Sequence, residues 1–126
     1  MAQRILIVDD TAEFRQLIQE IVEALGHEAL VADRATEAWR ILQKDSISLI
    51  LLDIKMPQVK GHDFVRYMHK KGKRVPIIVI SGYLNPEIME VLREFQVRKV
   101  VTKPFKFTRL TREITQVLEE DPQTAA

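Results

Sequence analysis

The sequence predicts a doubly wound α/β fold, a parallel five-stranded sheet with helices on both faces. Two observations carry this. Five short apolar runs alternate with segments of helical period, the pattern of linked βα units. The clearest of the runs are nearly continuously apolar rather than alternating, as expected when helices cover both faces of a strand. The right-handed crossover rule then leaves a doubly wound arrangement as the simplest layout.

Each element has a local reason. Residues 4–8 open with Ile5-Leu6-Ile7-Val8 and read as the first strand. Over residues 11–25 the apolar positions Phe14, Ile18, Ile21, Val22 and Leu25 share one helical face. Asp10 or Thr11 suits the amino cap of that helix, and Gly26 its stop. Residues 29–32 form a weak second strand. Ala38, Ile41 and Leu42 line a second helix, with Asp33 or Thr36 at its start.

The third strand is the clearest, with Ile47, Leu49, Ile50, Leu51 and Leu52 ending at Asp53. A third helix starts near Gly61 or His62 and turns Phe64, Val65 and Met68 inward. Val75 and residues 77–80 make the fourth strand, which ends at Ser81-Gly82. Pro86 suits the first turn of a fourth helix with Asn85 as cap; Ile88, Met89, Leu92 and Phe95 form its apolar side. Val100-Val101 mark a short fifth strand. Phe107, Leu110, Ile114, Val117 and Leu118 define the last helix.

Composition narrows the function. The chain has 126 residues, enough for one domain that buries about two thirds of its unfolded surface. Hydrophobic residues at 46% and charged residues at 29% exclude wholesale disorder. With no cysteine there is no disulfide framework, thiolate zinc site or thiol nucleophile. Nineteen basic against 18 acidic residues give a formal charge of +1, no global pull toward nucleic acid or an anionic membrane. The first apolar run falls far short of the roughly 20 residues that span a bilayer, and no signal-peptide core is present. The expected location is the cytoplasm.

In doubly wound folds the reactive groups gather beyond the carboxyl ends of the strands. Those ends present Asp9-Asp10, Asp53, Ser81 and Lys103. Carboxylates crowded into a half-buried crevice raise one another's pKa and lose hydration, and a hard divalent cation such as Mg²⁺ relieves both costs. A carboxylate is also a nucleophile toward phosphorus, as in aspartyl-phosphate chemistry. Phosphoryl oxygens would then need the metal, the Lys103 ammonium, the Ser81 hydroxyl and backbone N–H donors. Taken singly, the same residues have duller uses: Asp9 and Asp10 as helix caps, Ser81 as a turn residue, Lys103 as a surface lysine. Their joint arrival at one sheet edge favours the phosphate site.

The sequence resembles the receiver domain of bacterial two-component response regulators over residues 4–120. The likeness rests on Ile-Leu-Ile-Val-Asp9-Asp10, on Leu-Leu-Asp53-Ile-Lys-Met-Pro57 with Gly61, on Ser81-Gly82, and on Lys103-Pro104-Phe105. Each motif alone is common; the four in this order are specific. The resemblance implies a flavodoxin-like sheet of order 2-1-3-4-5 and a receiver domain over residues 1–120. Residues 121–126 are then a tail or the start of a linker.

It also implies roles. Asp53 matches the phosphoacceptor, Asp10 a direct Mg²⁺ ligand and Asp9 its neighbour acting through a water. The backbone carbonyl of Lys55 completes the protein's share of the metal shell, and Mn²⁺ is an alternative ion. Ser81 and Lys103 match the residues that contact the phosphoryl group. Pro57, Gly61, Gly82 and Pro104 read as loop geometry, and the resemblance implies a cis peptide between Lys103 and Pro104. The implied donor is a sensor histidine kinase or a histidine phosphotransfer protein. The output is a downstream protein or domain on the face of the fourth helix, fifth strand and fifth helix, a homodimer being a further option. No direct nucleic-acid binding or membrane insertion is implied.

The sequence departs from the family on the output side. Val100 stands where an aromatic residue usually reports the switch, which shifts attention to the segment from Ser81 to Tyr83. Phe95 and Phe107 are expected in the core. The basic stretch 69–74 reads as the solvated end of the third helix, where cations suit the dipole. His27, His62 and His69 lack metal-site spacing, and Trp39 reads as a packing residue. Two rival functions fit part of the pattern. One is a Mg²⁺-dependent phosphohydrolase with an aspartate nucleophile, for which the chain shows no cap or substrate domain. The other is a receiver-like interaction module that works without phosphorylation.

Overall fold

A computed structural model describes residues 2–53, 61–82, 86–94 and 97–120 of the chain. The elements run β1 (Arg4–Val8), α1 (Ala12–Ala24), β2 (Glu28–Ala32), α2 (Ala35–Lys44) and β3 (Leu49–Leu52). They continue as α3 (Gly61–Lys70), β4 (Ile77–Ser81), α4 (Pro86–Glu94), β5 (Lys99–Thr102) and α5 (Phe107–Glu120). The strands form one sheet of order β2-β1-β3-β4-β5 with every pair parallel, as expected.

The continuous apolar runs split by strand parity into two cores. Leu6, Val8, Ile50, Leu52, Ile77 and Val79 face one side and pack with Ala38 and Leu42 of α2, Phe64, Val65 and Met68 of α3 and Leu92 of α4. Ile5, Ile7, Leu49, Leu51, Ile78 and Ile80 face the other side and meet Ile18, Ile21 and Val22 of α1 and Leu110, Ile114 and Val117 of α5. A parallel strand with both faces covered needs apolar residues at odd and even positions alike. Each fully buried aliphatic contributes about 1.5–3 kcal/mol of transfer free energy, so the central strands act as a rigid base for whatever their ends carry.

The helix ends differ in part from expectation. Gly26 stops α1 with φ of 87°, a left-handed turn that suits glycine. Thr11 sits at the cap position of α1 but makes no side-chain capping bond; its N–H instead donates to Asp9 Oδ1 at 2.8 Å. At α2 the cap position is Arg34, not Asp33 or Thr36. The Asp33 carboxylate is occupied by the Arg34 guanidinium, with two contacts of 3.1 Å, and Thr36 already lies inside the helix. The proposed cap Asn85 and the core position Phe95 lie outside the described residues.

Phe107 overturns an expectation. It shares helical phase with Leu110 and Ile114, yet it is 52% exposed. As the first residue of α5 it precedes the stretch that packs on the sheet, and the buried face begins a turn later at Leu110. Trp39 is half-buried and meets Tyr67 edge-on at 4.9 Å between ring centroids, a packing role as expected. Among the described residues no helix is long and apolar enough to cross a membrane.

His27 ties the chain start to the α1–β2 turn by accepting the Gln3 N–H on Nδ1 at 3.0 Å. That bond needs a neutral ring nitrogen, and burial holds the His27 pKa below its ordinary 6.5. The folded state therefore resists a proton that the unfolded chain accepts. Stability from this group is complete above pH 6.5 and is lost as pH falls through the window below it. Thermal melts across that window should show a decline in midpoint that is shallower in His27→Gln; equal slopes would contradict the assignment.

Candidate functional site

The carboxyl ends of β1, β3, β4 and β5 deliver their polar residues to one edge. Asp9 follows β1 and Asp53 follows β3, and both are buried, at 3% and 7% exposure. Asp10 is exposed beside them. Ser81 ends β4 and is buried at 1% exposure, and Lys103 follows β5. The backbone pins these positions by carrying the ladder one step past the strands. Asp9 N–H donates to Ala32 O at 3.1 Å, Asp53 N–H to Val8 O at 2.9 Å, and Lys103 N–H to Ser81 O at 2.9 Å.

The side chains converge. Asp9, Asp10 and Asp53 each offer a carboxylate oxygen, and these oxygens lie within 4.8 Å of one another. Lys103 Nζ stands 3.8 Å from Asp9 Oδ2 and 3.8 Å from Asp53 Oδ2. Burial pushes the Asp9 carboxyl above its ordinary 3.8, although the Thr11 N–H and the Lys103 ammonium both pull the other way and Asp10 adds to the rise. By charge count, one ammonium faces three carboxylates. Three oxygen donors in such a crevice fit a hard, small divalent cation of the Mg²⁺ type.

The remaining expected positions divide. The Lys103–Pro104 peptide is cis, as the resemblance implies. Gly61 is the first residue of α3. Gly82 runs beside the Lys103 stem, where an added Cβ would meet Lys103 Cβ at 3.7 Å, an ordinary contact. Val100 is half-buried and packs against the core on the α2–α3–α4 side. Lys55, Pro57 and Tyr83 lie outside the described residues.

Two contacts were not legible as site features. Arg15 Nη1 donates to the Asp9 carbonyl at 2.8 Å and braces the β1–α1 turn from α1. Phe14 reads from its period as a core-facing helix residue, yet its ring lies under Lys103 Nζ at 3.9 Å from the centroid. The signal available for Phe14 was position: it lies in the first turn of α1, four residues beyond Asp10, at the sheet edge that carries the cluster.

Comparison with known proteins agrees with this architecture. The family model described as response regulator receiver domain matches residues 5–115. The chain is 30% identical over 120 residues to the response regulator receiver protein CpdR of Brucella abortus, covering 92% of this chain and 97% of that protein. It is similar in structure to a CheY-like receiver domain protein from Methanospirillum hungatei, with a TM-score of 0.90, 28% identity and coverage of 95% and 96%. It is also similar to the response regulator TrrA of Thermotoga maritima, solved in complex with Mg²⁺ and BeF, with a TM-score of 0.80, 29% identity and coverage of 91% and 98%. The chain spans a little under half the length of the probable transcriptional regulators it also matches. On the family match, the sheet order and the relatives together, the chain belongs to the receiver domains of response regulators.

Proposed function

We propose that this domain is a phosphorylation-dependent signalling switch that accepts a phosphoryl group on Asp53 from a phosphohistidine. The donor would belong to a sensor histidine kinase or a histidine phosphotransfer protein, and the setting would be the cytoplasm. The observation that carries the reading is the convergence of Asp9, Asp10 and Asp53 with Lys103 at one edge of the sheet.

In the transfer, a carboxylate oxygen of Asp53 forms a bond to phosphorus as the P–N bond to the donor imidazole breaks. The electron pair stays on that nitrogen, which takes a proton from solvent. Hydrolysis resets the switch: a water oxygen bonds to phosphorus, the acyl phosphate O–P bond breaks, and the Asp53 carboxylate is regenerated. Both steps move charge onto phosphoryl oxygens, so positioned cations and donors carry the catalysis. Lys103, whose Nζ stands 3.8 Å from Asp53 Oδ2, would pair with one oxygen, and Ser81 at the end of β4 would donate its hydroxyl to another.

A bound Mg²⁺ would supply further positive charge to those oxygens. Asp10 and Asp53 would hold it directly, Asp9 through a water, and the Lys55 carbonyl would join them; Mn²⁺ suits the same oxygen donors. TrrA, crystallised with Mg²⁺ and BeF, supports this choice by similarity. Output would pass through the α4–β5–α5 face to a downstream protein, an attached domain or a second copy. With Val100 in place of a reporting aromatic, the signal would travel through the backbone from Ser81 toward Tyr83.

Mass spectrometry of the protein after incubation with acetyl phosphate and Mg²⁺ tests the proposal. One added phosphoryl group on the peptide that holds Asp53 is expected. Protein that stays unmodified, or that carries phosphate on another peptide, would overturn it.

A further inference from the structure

We infer that Phe14 is a positioning residue for Lys103, its ring holding the ammonium at the acidic cluster without occupying the N–H donors that a phosphoryl group needs. This rests on the proposed function of the site.

The geometry is a short stack. Lys103 Nζ lies 3.9 Å from the Phe14 ring centroid, within the range of a cation–π contact. The Phe14 ring is itself held edge-on by Phe105, with centroids 5.8 Å apart and planes at 88°. Both rings are partly buried against the core formed by α1, α5 and the sheet. The loop after β5 thus supplies the ammonium and, two residues later, the ring that braces Phe14.

The chemistry explains why a ring is useful at this place. Lysine is a long, flexible chain that loses rotamer freedom when its head is fixed. A carboxylate or carbonyl close enough to fix it would do so by accepting an N–H, leaving fewer donors for substrate. The two carboxylates here stand at 3.8 Å, ion-pair distance but beyond a hydrogen bond. Among the described residues, the contacts of Lys103 Nζ are these two ion pairs and the Phe14 ring. A ring face attracts the cation electrostatically, without fixing the direction of any N–H bond. The ammonium is therefore placed and partly desolvated, with donors still free to turn toward an incoming oxygen.

Phe14→Leu keeps an apolar side chain on the core and removes the ring; Phe14→Trp keeps a ring. The rate of Mg²⁺-dependent labelling by acetyl phosphate should fall roughly three- to tenfold in Phe14→Leu and return to within about twofold in Phe14→Trp. The ε-methylene protons of Lys103, shielded by the ring in the wild type, should move downfield in Phe14→Leu at an unchanged affinity for Mg²⁺. That resonance reports the contact itself, and a melting midpoint near wild type beside the slower labelling separates positioning from a merely structural role. Labelling of Phe14→Leu at the wild-type rate, or an unshifted Lys103 resonance, overturns the role of Phe14 alone. Wild-type protein that takes no label overturns the functional reading, and with it any phosphoryl site for Phe14 to serve.

Discussion

Asp53→Asn is expected to lower the rate of Mg²⁺-dependent labelling by acetyl phosphate at least about a thousandfold, because the neutral amide oxygen is a far poorer nucleophile than the carboxylate while the rest of the site stays in place. The substitution is close to isosteric, and Asp53 is buried at the end of β3 with its N–H bonded to Val8 O. The strand register and both cores should therefore persist. Lys103 keeps Asp9 as a partner at 3.8 Å, so the ammonium is not left unpaired. A circular dichroism spectrum and melting midpoint close to wild type would separate lost chemistry from lost folding. Asp9 and Asp10 remain within the same cluster and are carboxylates too. If one of them took the phosphoryl group at an appreciable rate in the variant, Asp53 would not be the dedicated acceptor and the proposed function would fall.

The same cluster shows how far the sequence can be read before coordinates are needed. β1, β3 and β4 were legible because a strand covered on both faces must be apolar at every position, and runs such as residues 49–52 have few other uses. The sheet edge of the site followed, since parallel strands all point their carboxyl ends one way. What the sequence could not supply was distance. That Lys103 stands 3.8 Å from both Asp9 and Asp53 depends on the parallel pairing of β4 with β5, in which Ser81 lies opposite Thr102. The caps at the starts of α1 and α2 were legible only in part, for a related reason: Thr11 takes the α1 position without a side-chain bond, because short polar side chains have several partners within reach. Asp33 went to Arg34, and Asp9 rather than Thr11 made the side-chain bond at the start of α1.

Helical periodicity misled at α5 and under-read at α1. Period reports which residues share a stripe, not where along the helix the stripe meets the sheet. Phe107 is in phase with Leu110 but lies ahead of the packed stretch and stays in solvent. Phe14 is in phase with Ile18 and Ile21 and does pack on the core, but at the functional edge, where its ring also meets Lys103. A hydrophobic stripe that runs into an active edge contributes to packing and to the site at once, and periodicity alone shows only the packing.

Asp9→Asn is expected to stabilise the metal-free protein at neutral pH and to weaken its response to Mg²⁺. Burial is the largest influence on Asp9, and it raises the carboxyl above its ordinary 3.8. A group whose folded-state pKa is raised binds its proton more tightly when folded. Its favourable contribution is complete below pH 3.8 and is lost as pH rises through the raised value. At neutral pH the ionised side chain therefore opposes folding. Asparagine removes that charge and still offers an oxygen to the Thr11 N–H, which now donates to Asp9 at 2.8 Å. Lys103 retains Asp53.

Metal reverses the comparison. A ligand that binds only the folded state at a hundredfold excess over its Kd adds about 2.7 kcal/mol of stability. The full set of carboxylates should collect more of this than the variant. Melting midpoints should thus rank Asp9→Asn above wild type in EDTA and close or invert that gap in saturating Mg²⁺. Across acidic pH, the wild-type midpoint relative to the variant should fall as pH rises in EDTA. A variant less stable than wild type without metal would mean that the Asp9 ion pair with Lys103 outweighs burial. In that case the cluster would be a structural network already neutral on its own, not an acidic site poised for a cation.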